Sequence, residues 1–250
     1  MRIFYRYFIS NKPSKNEQPK LYIVHGLGEY SGRYEKFIKI FNELGFDVFI
    51  FDLPGHGYSC GKKGDIGNFY EIYYFLENYI QEDYFLFGHS LGGLLAARFV
   101  EITENKPKKL VLSSPALGDI SQMKWLLNML SVFPKLTFSN RIDPFDLSTN
   151  RKVCEEYKRD PLVHDKITVE SAIGMFAQAE LALKDIDKID VQTLLLYGTD
   201  DKVVNISEYE KIQNPNINII SFNKGKHELF ECVYNKNKFL ETILNFYLSS

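Results

Sequence analysis

Cysteine is scarce in this chain: Cys60, Cys154 and Cys232 are odd in number and far apart. That spacing indicates neither a disulfide framework nor a metal knuckle. An excess of one charge is also missing. The 30 Lys and Arg stand against 32 Asp and Glu, a formal net charge of −2. With no basic face to dominate, nucleic acid is not an expected partner. No apolar run approaches membrane-spanning length. The opening Met1-Arg2-Ile3-Phe4-Tyr5-Arg6-Tyr7-Phe8 alternates arginine with aromatics and has no small-residue cleavage site. It reads as a first strand rather than a signal peptide. These absences lead to the expectation of a soluble, cytoplasmic protein. At 250 residues the chain fits one large domain with a substantial core.

The most informative stretch is Phe85-Leu86-Phe87-Gly88-His89-Ser90-Leu91-Gly92-Gly93-Leu94. An apolar run ends in glycine, a serine stands between small residues, and helix formers follow. This is the G-x-S-x-G elbow, in which a buried strand turns sharply into a helix and lifts a serine hydroxyl above the sheet edge. Side chains two positions before or after that serine would collide across the turn.

Around it, short apolar runs alternate with helical patterns. Strands are expected at 21–24, 46–51, 85–88, 109–112, 193–197 and 217–222, with helices at about 30–44, 68–79, 91–104, 169–184, 207–213 and 235–248. Such alternation implies right-handed crossovers and a mostly parallel sheet flanked by helices. It stops between residues 115 and 170, where Trp125, Leu126, Leu127, Met129, Leu130, Val132 and Phe133 suggest an apolar helix and no strand is evident. An insertion of that length is usually functional, as a lid is. We therefore expect a single domain over 1–250 with a helical cap at 115–170 inserted after the strand at 109–112.

A serine hydroxyl needs a base within hydrogen-bond reach, itself oriented by a carboxylate. After the strand at 217–222 comes Lys224-Gly225-Lys226-His227-Glu228, which makes His227 the candidate base. After the strand at 193–197 comes Gly198-Thr199-Asp200-Asp201-Lys202-Val203; the G-x-x-D-x-V spacing selects Asp201 over Asp200 as the acid. Two backbone N–H groups must also face the oxyanion of a tetrahedral intermediate. One belongs to Leu91, just after Ser90. The other belongs to the Gly26-Leu27-Gly28 turn, with Leu27 the best single candidate. This chemistry calls for no metal and no cofactor.

Three segments resemble one family. His25-Gly26-Leu27-Gly28-Glu29-Tyr30-Ser31-Gly32-Arg33-Tyr34 is similar to the H-G-x-G-E-x-S-x-R-Y signature of monoacylglycerol lipases and lysophospholipases in the α/β-hydrolase superfamily. Asp52-Leu53-Pro54-Gly55-His56-Gly57-Tyr58-Ser59 resembles its D-x-x-G-x-G-x-S loop, and Ser113 to Leu117 and Asp160 to Val163 resemble segments of its cap. The resemblance implies an α/β-hydrolase fold, a Ser90-Asp201-His227 triad and oxyanion donors at Leu27 and Leu91. It also places Glu29 and Arg33 near a glyceride head group, although a structural ion pair holding the oxyanion loop is an equal reading. The short stretch before residue 20 departs from the family and suggests that one sheet strand is missing.

The expected activity is hydrolysis of a lipid-like acyl ester, with monoacylglycerol or lysophospholipid as substrate. The triad alone also suits a small-ester carboxylesterase, a thioesterase or a serine aminopeptidase. A non-catalytic receptor is disfavoured because all three triad positions are filled. The apolar cap leaves room for transient contact with a membrane surface, and oligomeric state is not encoded in any motif.

Overall fold

The computed structural model describes residues 2–12, 18–81, 83–118 and 129–249. Seven strands form one sheet: β1 (Tyr5–Phe8), β2 (Lys20–Val24), β3 (Asp47–Phe51), β4 (Tyr84–His89), β5 (Lys109–Ser113), β8 (Thr193–Gly198) and β9 (Ile217–Phe222). Their order is β1-β3-β2-β4-β5-β8-β9. Only β1 runs antiparallel, pairing Tyr5 with Phe51 and Phe8 with Val48 at the edge. Every other pair is parallel. All the parallel strands therefore end on one edge of the sheet, where loops can converge.

The central parallel strands are largely apolar because both of their faces are covered, whereas the edge strand β9 exposes Asn218 and Ser221. Leu21 and Ile23 of β2 pack in one core with Phe37 and Phe41 of helix α1 (Glu35–Glu43) and Phe239 and Ile243 of the closing helix α7 (Lys236–Leu248). Tyr22 and Val24, one residue out of phase, face the other core with α2 (Phe69–Tyr79), α3 (Leu91–Ile102) and α6 (Val169–Lys184). The period-2 alternation of a strand thus feeds two helical layers.

Two expected helices are shorter than their sequence patterns. The segment from Tyr30 begins as a 3₁₀ turn, Ser31–Tyr34, and becomes α-helical only at Glu35. Ile206–Lys211 is 3₁₀ rather than α-helical, capped by the Asn205 side chain accepting the Ser207 N–H.

Between β5 and α6 the expectation of no strand is overturned. β6 (Thr137–Ser139) and β7 (Lys166–Thr168) form a two-stranded antiparallel ribbon. Three residues are too few to show an alternating pattern, and the partners lie far apart in sequence. Helices α4 (Pro144–Leu147) and α5 (Arg151–Arg159) lie between them. Trp125, Leu126 and Leu127 of the expected apolar helix lie outside the described residues. Of those that follow, Met129, Val132 and Phe133 are exposed.

This segment lies over the loops at the strand ends. His164 N–H donates to the Gly28 carbonyl at 2.9 Å, and Glu228 N–H donates to the Leu147 carbonyl at 2.7 Å. His164 Nε2 donates to the Gly55 carbonyl at 3.0 Å while its Nδ1 accepts the Lys166 N–H. No helix among the described residues is long and apolar enough to cross a membrane.

Candidate active site

Ser90 joins β4 to α3 with φ 54° and ψ −119°, a left-handed conformation that a side-chain-bearing residue adopts only under constraint. The constraint is packing. A Cβ on Gly88 would overlap the Gly92 carbonyl, and one on Gly92 would overlap the carbonyl of Val24 in the neighbouring strand. Ser90 N–H donates to the Ser113 carbonyl of β5 at 2.9 Å, and its own carbonyl accepts from Leu94 and Ala116. Leu91 opens α3, so its amide belongs to the first turn, where N–H groups lack intrahelical acceptors and the helix dipole favours negative charge.

His227 and Asp201 arrive on the loops after β9 and β8. His227 Nδ1 donates to Asp201 Oδ2 at 2.8 Å, and both residues are buried. Asp201 Oδ1 accepts the Val203 and Val204 N–H groups at 2.9 and 3.3 Å. Burial alone would raise the Asp201 pKa, but the attraction and hydrogen bond of His227, with the Val203 amide, hold it below its usual range. Burial alone would lower His227, yet the Asp201 charge and hydrogen bond carry it above its ordinary value. Asp200 is exposed instead, its N–H donating to the Gly225 carbonyl. The spacing argument for Asp201 thus selects the aspartate that meets the histidine.

The turn after β2 carries Leu27. His25 Nε2 accepts the Leu53 N–H at 2.9 Å, so Nδ1 bears the proton and donates to the Gly26 carbonyl at 2.8 Å. That fixes the Gly26–Leu27 peptide. Because the unit is planar and trans, holding its C=O on one side aims the Leu27 N–H to the other. The Gly26 N–H is held as well, by Glu29 Oε1 at 2.5 Å. Asp52 braces the neighbouring loop, accepting the Ser31 N–H at 2.7 Å and the Tyr58 N–H at 2.8 Å.

Glu29 and Arg33 form part of a buried ionic group. Arg33 Nε donates to Glu29 Oε2 at 3.4 Å, and Nη2 donates to both Glu228 oxygens at 2.9 and 2.7 Å. Tyr34 donates its hydroxyl to Glu29 Oε1 at 2.7 Å, and the Tyr157 ring of α5 lies 4.5 Å from the guanidinium. Burial would raise Glu29, but the Arg33 charge and the Tyr34 hydrogen bond help hold it below its ordinary value.

Several of these partners were not singled out from the sequence. Glu228 stands beside His227 in the chain, and an acid next to a candidate base was the only available signal. Tyr157 gave none, since one tyrosine on a polar helix looks like surface. His89, in the elbow itself, packs its ring 4.8 Å from His227; burial, with the His227 charge, pushes its pKa down to about 4 and keeps it neutral.

Comparison with known proteins finds several similar chains. The chain is 35% identical to the monoacylglycerol lipase of Paleococcus ferrophilus, whose crystal structure superposes with a TM-score of 0.89 over 98% of both chains. It is 29% identical to phospholipase YtpA of Bacillus subtilis over 86% of this chain and 88% of that one. It is 33% identical to an abhydrolase domain-containing protein of Dictyostelium discoideum over 72% of this chain, and the match spans 20% of that longer protein. The Hydrolase_4 model, described as serine aminopeptidase S33, matches residues 15–231. With a parallel sheet, a serine elbow and a family match over most of its length, the chain belongs to the Hydrolase_4 family of α/β-hydrolases.

Proposed function

We propose that this chain is a carboxylic ester hydrolase that releases a fatty acid from monoacylglycerol or a lysophospholipid. The observation that carries the reading is the strained Ser90 elbow sharing a strand edge with a buried His227–Asp201 pair at 2.8 Å. The names of the relatives support the substrate class: a monoacylglycerol lipase and a phospholipase.

In the proposed reaction His227 Nε2 takes the Ser90 hydroxyl proton as Oγ attacks the ester carbonyl. The C=O π bond opens and its oxygen becomes an oxyanion facing the Leu27 and Leu91 amides. Collapse breaks the ester C–O bond, and His227 gives its proton to the departing alcohol. Water, deprotonated by the same histidine, then splits the acyl-enzyme, releasing the acid and restoring Ser90. Asp201 stays ionised throughout, holding the imidazole tautomer and stabilising the imidazolium.

The test is Ser90→Ala assayed on p-nitrophenyl esters of graded chain length, with fluorophosphonate labelling of the wild type. A roughly millionfold loss is expected; near wild-type turnover by the mutant would refute the mechanism. Parallel assays on monoglycerides, acyl thioesters and aminoacyl anilides separate the lipase reading from thioesterase and aminopeptidase activity. We further propose the 115–170 segment as a cap whose exposed Met129, Val132, Phe133 and Leu136 suit transient contact with a membrane surface. Co-sedimentation with lipid vesicles should weaken when Val132 and Phe133 are changed to serine.

A further inference from the structure

The ionic group beside the site holds two carboxylates around one guanidinium, and the proposed reaction uses neither carboxylate. Glu228 follows His227 directly and is 2% exposed. Its two oxygens chelate Arg33 Nη2, while Glu29 takes Nε and Tyr157 covers a face of the guanidinium. Arg33 is thereby neutralised from inside the protein.

The group lies close to the reacting serine. A Cβ on Gly26 would stand 2.8 Å from Glu29 Oε1 and 3.0 Å from the Ser90 Cβ, so a single glycine separates carboxylate from nucleophile. Arg33 also lines a cleft of about 200 Å³ between the start of α1 and helix α5. The cleft's other charged residues are Glu35, Glu156, Asp160 and Glu231 against Lys36, so the approach to Arg33 is predominantly acidic.

We propose that Glu228 is the residue that sets head-group charge specificity, so that the site takes an uncharged polyol ester and rejects a phosphate-bearing one. This rests on the ester-hydrolase reading and, of its two substrates, keeps monoacylglycerol and drops the lysophospholipid. A phosphate reaching for Arg33 must displace the Glu228 chelate and leave a buried carboxylate unpaired, which is strongly unfavourable. A glycerol hydroxyl meets no such conflict, because it can donate to the same carboxylate oxygens.

The groups facing Glu228 are Arg33 and Tyr34 from the 3₁₀ turn, Glu29 from the oxyanion loop, His227 and Glu231 from its own segment, and Cys154 and Tyr157 from α5. Burial pushes Glu228 up to about 7, Arg33 opposing and Glu29 reinforcing the rise. The carboxylate gains its charge as pH rises through that value, so discrimination against a phosphate strengthens from pH 6 to pH 8.

The experiment compares kcat/KM for 1-monooleoylglycerol and 1-oleoyl-lysophosphatidylglycerol, whose phosphodiester keeps one charge over this pH range. The wild type should prefer the uncharged lipid, more so at pH 8 than at pH 6. Glu228→Gln should move the ratio about tenfold or more toward the anionic lipid, about 1.4 kcal/mol of differential binding, and flatten its pH dependence. Adding Arg33→Met to Glu228→Gln should remove the gain. Equal losses on both lipids would make Glu228 merely structural and overturn the proposal, as would a wild type that prefers the anionic lipid. Should Glu228→Gln fail to fold by circular dichroism, the wild-type pH series decides, and a flat ratio overturns the proposal. Loss of Ser90-dependent p-nitrophenyl butyrate hydrolysis is a separate result: it removes the hydrolase reading, and the specificity proposal with it.

Discussion

Two buried arginines in this molecule are each held between carboxylates, yet only one of them lies near the reacting groups. Arg33 joins Glu29 and Glu228 at the strand ends. Arg98, on α3, donates to Glu101, to Asp185 at 3.1 Å and to Gln178 at 3.4 Å. Gln178 is in turn bonded by the Tyr73 hydroxyl at 2.9 Å, so this second group ties α2, α3 and α6 together. In each group burial raises one carboxylate: Glu228 to about 7 and Glu101 to about 8. A perturbed carboxylate is therefore no mark of function by itself. Position decides, because Glu228 adjoins His227 whereas Glu101 lies two turns or more along α3 from Ser90.

The contrast can be broken or sharpened by mutation. The largest effect should come from Ser90→Ala, which removes the bond-forming oxygen. Asp201→Asn should follow, lowering kcat by roughly ten-thousandfold through loss of the imidazole tautomer, whereas Asp200→Asn should leave it near wild type. Steady-state kinetics on one p-nitrophenyl ester checks both, and equal losses at the two aspartates would reverse the acid assignment.

The arginines themselves give the next test. Arg98→Met should destabilise the protein by about 3 kcal/mol in chemical denaturation, because it strands the buried Glu101 carboxyl, with kcat/KM per folded molecule unchanged. Arg33→Met should cost similar stability and also reduce kcat/KM, up to roughly a hundredfold if the His227 and oxyanion loops shift by an ångström. If the two variants behave alike in the assay, the distinction between them is lost.

The smallest effect is one of pH. Catalysis requires neutral His227, whose pKa is raised by Asp201. Activity should fall as pH drops through a midpoint above about 6.5. In Asp201→Asn that midpoint should move down, since the raising charge is gone. An unmoved midpoint would detach the titration from this pair.

Much of this was legible in the chain. The elbow could be read because glycine at 88 and 92 is demanded by local sterics that leave a local signature. The order of strands and helices was readable for the same reason: period-2 and period-3.6 patterns are short-range. The β6–β7 ribbon was not, since its strands are three residues long and pair across nearly thirty residues of chain. The Arg33–Glu228 pairing was hidden for a like reason, the partners standing 195 positions apart in the chain.

The sequence by itself determined the sheet-and-helix alternation, the serine turn and the loops on which an acid and a base would stand. Each depends on backbone sterics or on periodicity within a few residues. Tertiary structure decided that His25 aims the Leu27 amide, and that Arg33 is clamped between Glu29 and Glu228 and covered by Tyr157. Those outcomes depend on burial and on charges brought together from distant segments, and Coulomb forces in a desolvated interior follow distance in space, not separation along the chain.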